Sequence, residues 1–173
     1  MQRYAEGDDS AFGAVYDELA PRLLAYLRRS VGNEALARDI LQQAFLRLHR
    51  ARGSFSPGSA VVPWAFAIAR RAMLDALRTR RRRPEAALEA AHEPATIDDP
   101  ERRASLMQEA LHLQRRLRSL PESWRDAFEL VRVEGLSLAD AAAVLDTSAS
   151  AVKMRAHRAY VALGLGGLEE DGS

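Results

Sequence analysis

The sequence predicts an all-α fold made of two small helical domains joined by an acidic linker. Apolar residues recur three or four positions apart along most of the chain, and no alternating pattern bounded by turn residues indicates a strand. Three prolines fall within residues 84–100, which are otherwise rich in alanine and acidic residues, and this composition marks a domain boundary. The charge changes at the same place, since residues 1–83 hold 15 arginines and 8 acidic residues whereas residues 84–110 hold 2 arginines and 7 acidic residues.

The composition restricts both function and location. The 173 residues are 47% hydrophobic, which suffices for a folded core. Because the chain has no cysteine, disulfides and thiolate metal sites are excluded and we expect a cytoplasmic location. No run approaches the ~20 apolar residues of a spanning helix, and residues 1–9 contain no apolar run, so we expect neither membrane insertion nor a secretory signal. The four histidines lack ligand spacing and no nucleophile or phosphate-loop motif occurs, so we expect no cofactor and no catalysis.

The first domain is predicted to contain four helices. Asp9 or Ser10 is expected to cap the first, and Pro21 to interrupt it before a second helix ends at residues 32–33. A third helix is predicted over residues 34–50. Its inward stripe consists of Leu36, Ile40, Ala44, Phe45 and Leu48.

The opposite face of this third helix is polar except for one leucine, Leu46. The other members of the face are Asp39, Gln42, Gln43 and Arg50. A leucine in a polar face favours contact with a partner, although a single exposed leucine is also normal on a protein surface.

The fourth helix follows a loop over residues 52–59 that is rich in glycine, serine and proline. Pro63 suits its first turn, and the helix is predicted to end before Pro84, after four consecutive arginines. Its polar stripe consists of Arg71, Asp75, Arg78 and Arg82. Arginines beside a loop are suited to a melted DNA strand, because cations follow phosphates while a base leaves the stack. The alternatives are a solvated helix terminus for the arginines and a plain core aromatic for Trp64.

The second domain is predicted to begin with a helix over residues 101–117. Pro121 opens the next helix, Gly135 ends that region, and the tail from Gly164 onward is expected to be loose.

Residues 135–159 have the pattern of a helix-turn-helix. Ser137 can cap a short helix, Asp146 can adopt the left-handed conformation of the turn, and Ser148 can cap a second helix. The inward residues of the second helix are Val152, Ala156, Ala159 and Leu163.

The other faces of this second helix carry Ser150, Lys153, Met154, His157 and Arg158, with Arg155 flanking them. The N-terminal part of such a helix meets base edges in the major groove, and its cations pair with phosphates or guanine. The sequence therefore predicts binding to duplex DNA. The alternative is an ordinary helical hairpin with a solvated basic face.

Four segments in this order resemble a sigma-70 family factor of the extracytoplasmic-function (ECF) group. Residues 11–27 resemble the opening of the sigma-2 domain, and residues 37–48 resemble the helix that binds core polymerase. Residues 63–78 resemble the helix that handles the −10 element, and residues 120–159 resemble the sigma-4 domain that reads the −35 element.

The resemblance implies a transcription initiation factor that binds core RNA polymerase through its largest subunits, directs it to promoter DNA and assists melting. It also implies an anti-sigma factor as a partner. The expected domains are a sigma-2-like domain over 1–83, an acidic linker over 84–110, a sigma-4-like domain over 111–165 and a flexible tail over 166–173. The linker's negative charge suggests that it imitates nucleic acid near the polymerase channel.

The resemblance assigns three sets of contact residues. Core polymerase is expected to contact Asp39, Gln42, Gln43, Leu46 and Arg50. The −10 element and its single strand are expected to contact Trp64, Arg70, Arg71, Arg78 and Arg81. The −35 element is expected to contact Ser148, Ser150, Lys153, Met154, Arg155 and Arg158.

The chain departs from the family pattern at several of these positions. Arg38 and Gln43 stand where glutamates are usual, and Arg71 stands where asparagine is common. Asp146 replaces a usual turn glycine, and Ser150 replaces another small residue. Two alternative functions remain at this point, a stand-alone helix-turn-helix regulator and a sigma-like decoy that sequesters an anti-sigma factor.

Overall fold

The computed structural model describes residues 1–82, 108, 112–113 and 115–165, and all regular elements among them are helical. The chain separates into two compact units, with the division between His92 and Glu93. The prediction of an all-α fold with two helical domains is confirmed. The predicted acidic linker, most of the helix predicted over residues 101–117 and the tail over 166–173 lie outside the described residues.

The first unit contains four α-helices and two short 3₁₀ turns. The helices are α1 (Gln2–Ala5), α2 (Phe12–Val31), α3 (Glu34–Ala51) and α4 (Val61–Arg82). The 3₁₀ turns are Asp9–Ala11 and Arg52–Ser54. In the second unit, residues 115–119 are helical. They are followed by α5 (Glu122–Phe128), a π-helical turn (Glu129–Val133), α6 (Leu138–Leu145) and α7 (Ala149–Ala162).

Helix α2 runs without interruption through Pro21, so the predicted break is wrong. Proline in a helix interior removes one backbone hydrogen bond and costs about 3 kcal/mol. Buried side chains lie on both sides of it, including Leu19 before it and Leu23 after it, each 1% exposed. We attribute the continuity to this shared apolar stripe, because its burial offsets the cost at the exposed proline.

The N-terminal cap is Asp8, and the prediction of Asp9 or Ser10 is wrong. The Asp8 carboxylate accepts the backbone N–H of Ser10 at 3.0 Å and also its hydroxyl at 2.5 Å. These hydrogen bonds lower the pKa of Asp8, followed by the bond that Arg3 donates at 2.6 Å. Asp8 thus caps the short 3₁₀ turn that precedes α2, whereas the sequence predicts a cap on α2 itself.

The junction between α2 and α3 is fixed by a turn and an ion-pair cluster. Gly32 has a φ of 67°, and Asn33 caps α3 by accepting a first-turn N–H at 2.8 Å. The Glu34 carboxylate accepts hydrogen bonds from Arg28 and Arg38, which lower its pKa.

Small residues line the buried faces of the helices that pack in the first unit. The buried side chains of α3 are Ala37, Ile40, Leu41, Ala44, Phe45 and Leu48. Those of α4 are Ala65, Phe66, Ala69, Ala72 and Met73. Alanines at these positions let the helix backbones approach closely, and the faces of α3 and α4 that pack on no neighbouring helix are directed outward.

The second unit is held by an apolar cluster that joins the helical segment 115–119 to α5 and α7. Its buried members are Leu117, Phe128, Ala159 and Leu163. Arg116 donates a hydrogen bond to the Ala162 carbonyl at 3.1 Å, which satisfies one of the free carbonyls at the end of α7.

The helix-turn-helix forms as its capping residues predict. The hydroxyl oxygen of Ser137 accepts the backbone N–H of Asp140 at 3.0 Å, and that of Ser148 accepts the N–H of Ala151 at 3.2 Å. Asp146 ends α6 with φ 52° and ψ 55°, the left-handed conformation that the turn requires.

We expect Asp146→Gly to stabilise the second unit by up to about 1 kcal/mol, because glycine adopts positive φ without a Cβ clash. Thermal unfolding of the full chain measures the effect. The matched control is Ala143→Gly in the exposed face of α6, which should destabilise the chain by about 1 kcal/mol. A loss of stability in Asp146→Gly equal to that of the control would contradict the interpretation.

Candidate functional site

The outward face of α7 is a polar stripe that contains one large apolar side chain. Ser150, Lys153, Met154 and His157 are spaced three or four positions apart, so they share one side of the helix, and all four are exposed. Met154 is 52% exposed. The predicted inward residues are buried on the other side of the helix, which confirms the predicted orientation of α7. Donors and an apolar group together match the base edges of the major groove.

The N-terminus of α7 adds two hydroxyls to this face. Ser148 caps the helix, and its hydroxyl lies 3.0 Å from the hydroxyl of Ser150. Backbone N–H groups and the helix dipole both favour an anion at such an end, so the two serines suit a phosphate contact.

The two arginines predicted for the same DNA element lie off this face. Arg155 is half-buried and neighbours the buried stripe of α7. Arg158 is exposed, and its Cζ atom lies 5.7 Å from the ring centroid of Trp124 in a cation–π contact. His157, which is not among the residues predicted to contact the −35 element, lies on the face itself. Its spacing from Lys153 and Met154 was the signal for this position.

Helix α3 presents the five predicted polymerase contacts as one exposed ridge. The members Asp39, Gln42, Gln43, Leu46 and Arg50 follow helical spacing and are all exposed. The Leu46 side chain is 43% exposed, so an apolar group stands in the middle of the ridge. The structure therefore brings all five residues together.

A groove borders the ridge on each side. Gln42 and Leu46 line a groove of about 690 Å³ together with the aromatic residues Tyr4, Phe12, Tyr16 and Phe45. Asp39 and Gln43 line a second groove of about 590 Å³, whose other wall is α4. Arg38 pairs at 2.7 Å with Glu34, whose carboxylate it shares with Arg28, so the arginine that departs from the family pattern is only partly compensated.

The five residues predicted on α4 fall on two lines of the helix. Trp64, Arg71 and Arg78 are seven positions apart, so they follow one line opposite the buried face. Arg70 and Arg81 follow a second line about a quarter of a turn away. Arg71, Arg78 and Arg81 are exposed, whereas Arg70 is half-buried.

Trp64 lies where the loop meets α4. Its ring packs edge-on against the buried Phe55, with 5.2 Å between the centroids. The indole is half-buried, so it is anchored on one side and accessible on the other.

The described residues bear on two further properties, metal binding and membrane insertion. Within them, no group of three or more histidine, cysteine or acidic side chains is arranged to hold a metal ion. In the same part of the chain, no helix combines the length and apolar character needed to cross a membrane.

Both units match described families. A profile of sigma-70 region 2 matches residues 15–83, and a profile of sigma-70 region 4 matches residues 111–163. The chain is 37% identical to the RNA polymerase sigma factor CarQ of Myxococcus xanthus, with 92% of this chain and 91% of that protein covered. It is 34% identical to the ECF RNA polymerase sigma factor SigF of Caulobacter vibrioides, with 94% and 89% covered.

Two solved structures share the fold. CnrH, solved in complex with the cytosolic domain of CnrY, has a TM-score of 0.70 and 27% identity, with 99% of this chain and 96% of that chain covered. The sigma factor RpoE of Bartonella quintana, solved with the anti-sigma factor NepR, has a TM-score of 0.75 and 23% identity, with 92% and 98% covered.

Proposed function

This chain belongs to the sigma-70 family, in its ECF group of RNA polymerase sigma factors, and we propose that its two units divide promoter recognition between them. As a sigma factor it directs core RNA polymerase to promoters. In our proposal the first unit, with residues up to 83, docks on polymerase and captures the −10 strand. The second unit, over residues 111–165, reads the −35 element.

The ridge on α3 is the proposed polymerase contact. It combines carboxylate, amide and guanidinium groups with an exposed leucine, and a groove lies on either side. Protein interfaces gain most of their affinity from a few apolar or aromatic anchors surrounded by polar groups. Leu46 is the anchor in our proposal, and Asp39, Gln42, Gln43 and Arg50 surround it.

Helix α4 is the proposed contact for the melted strand. The line of Trp64, Arg71 and Arg78 offers an aromatic surface for a base and two guanidinium groups for phosphates. Arg70 and Arg81 are proposed to contact the backbone from the neighbouring line. The half-buried Trp64 supports this proposal, because its packing on Phe55 leaves part of the indole accessible.

The face of α7 is the observation that carries the proposal for the second unit. Lys153 and Met154 stand exposed beside His157 on a well-capped helix, while Ser148 and Ser150 lie at its N-terminus. We propose that Met154 meets a base edge, that Lys153 and the two serines contact phosphate, and that Arg155 and Arg158 contribute from the side.

The wider setting follows from the same assignment. We propose a cytoplasmic location, supported by the absence of cysteine from all 173 residues and by the polymerase partner. We propose that the chain performs no bond chemistry and acts by binding alone. We also propose an anti-sigma factor as a regulator, since the structurally similar sigma factor RpoE was solved with one.

Transcription with purified components tests the proposed function. Adding the chain to core polymerase and a genomic fragment library should yield promoter-specific transcripts. A gel shift on a promoter found in this way should show strong binding only when core polymerase is present. If no library fragment gives a specific transcript, the proposal fails, and tight binding by the chain alone would indicate a stand-alone regulator.

Leu46→Asp should weaken assembly with core polymerase by roughly tenfold or more, because a charge replaces the apolar anchor of the ridge. Titration of labelled chain with core polymerase measures the affinity. Ala14→Asp places the same charge on the exposed face of α2 and serves as the matched control. Equal affinities for the two variants would exclude Leu46 from the interface.

Lys153→Ala and Met154→Ala should affect −35 recognition in different ways. Losing a cation that contacts phosphate weakens binding to all sequences and reduces the salt slope by about 1. Losing an apolar base contact relaxes the preference at one base pair and leaves the salt slope unchanged. Holoenzyme binding to promoters with single base changes, measured at several salt concentrations, separates the two effects. Identical profiles would contradict this division.

A further inference from the structure

An ion pair crosses from α3 to α4 beside the ridge. The Arg47 Nη1 atom on α3 lies 2.6 Å from the Asp75 Oδ2 atom on α4, although the two residues are 28 positions apart in sequence. The other carboxylate oxygen, Oδ1, lies 3.5 Å from Nη1 of Arg78. Each oxygen of Asp75 therefore faces one guanidinium, the first on α3 and the second on the outward line of α4.

This pair lies between two proposed contact surfaces, the ridge of α3 and the outward line of α4. Arg47 and Asp75 both line the groove between α3 and α4. Asp39 and Gln43 of the polymerase ridge lie in the same groove. Arg78 belongs to the line proposed to meet the melted strand. Asp75 thus lies on the outward face of α4 beside Arg78 and lines the groove that borders the ridge, although it is not itself one of the proposed contact residues.

The packing beneath the pair explains why a polar link is useful here. The buried face of α4 consists of Ala65, Ala69 and Ala72 together with Phe66 and Met73. The alanines permit close approach but interlock less than larger side chains do, so a polar link adds a restraint on the rotation and sliding of one helix on the other. A charge-assisted hydrogen bond has a defined length and direction, so it restricts the rotation and sliding of α4 on α3.

The pair is too exposed to contribute much stability. The side chains of Arg47 and Asp75 are 41% and 48% exposed, and ion pairs at such sites contribute little to the free energy of unfolding. The ion pair instead affects the position of α4. A small displacement of this helix would move the groups that are proposed to capture the melted DNA strand.

We propose that Asp75 is a positioning residue for promoter opening. Through Arg47 it holds α4 in place on the polymerase-binding helix, and through its second oxygen it orients the guanidinium of Arg78. The inference rests on the proposed function, because it requires α3 to bind polymerase and α4 to capture the melted strand.

A double-mutant cycle tests the role of the pair. Asp75→Ala and Arg47→Ala should each leave the half-saturating concentration for core polymerase within about twofold, and each should lower the maximal rate of promoter opening roughly fivefold. Permanganate reactivity of unpaired thymines, followed at saturating polymerase, measures the opening. The double variant should open promoters no more slowly than Asp75→Ala, because both changes break the same link.

The matched control is Arg3→Ala, which breaks an ion pair of the same 2.6 Å length between Arg3 and Asp8 at the N-terminus. It should open promoters at the unmodified rate. Additive effects of the two single variants, or a loss of polymerase affinity parallel to the loss of opening, would overturn the positioning role. If unmodified chain opens promoters and the variants open them equally fast, the inference fails alone. If unmodified chain opens none, the proposed function fails with it.

Discussion

Close helix packing through small side chains is the constraint on which both units depend. In the first unit alanines line the buried faces of α3 and α4, and in the second Ala141, Ala142, Ala156 and Ala159 are buried in the helix-turn-helix. A helix that buries one narrow stripe must present its remaining faces to solvent. The ridge of α3, the arginine lines of α4 and the face of α7 each lie across from such a stripe, so the packing that stabilises the fold also orients its contact surfaces.

This arrangement separates stability from function. The apolar clusters supply the stabilisation, because burial of apolar surface contributes far more than exposed ion pairs do. The proposed contact residues are mostly exposed, so substitution there should leave the core intact. The proposed positioning groups Arg47 and Asp75 lie between these classes, since their side chains are only half exposed and they join two helices.

Periodicity and capping chemistry made the local structure predictable. The burial of Val152 and Ala156 follows from spacing, and the cap at Ser148 follows from its hydroxyl. Pro21 was misjudged because a local rule cannot register the packing on both sides of it. The Arg47–Asp75 pair was not predicted, because it joins residues that are 28 positions apart in sequence. The π-helical turn at Glu129–Val133 was not predicted either, because no local pattern indicates it. All five ridge residues of α3 share one face as predicted, whereas Arg155 of α7 does not.

The charge on α7 explains why a factor of this design requires polymerase. Lys153 lies on its outward face, and Arg158 is stacked on Trp124 at the side. Few phosphate contacts release few counterions, so duplex binding by this unit alone is weak. If polymerase holds both units at one promoter, binding of one unit to DNA makes binding of the other intramolecular. The effective concentration of the second unit near its DNA element is then high, which compensates for the low affinity of α7 alone. In this proposal weak separate contacts favour selectivity, because neither unit would occupy DNA without the enzyme that uses it.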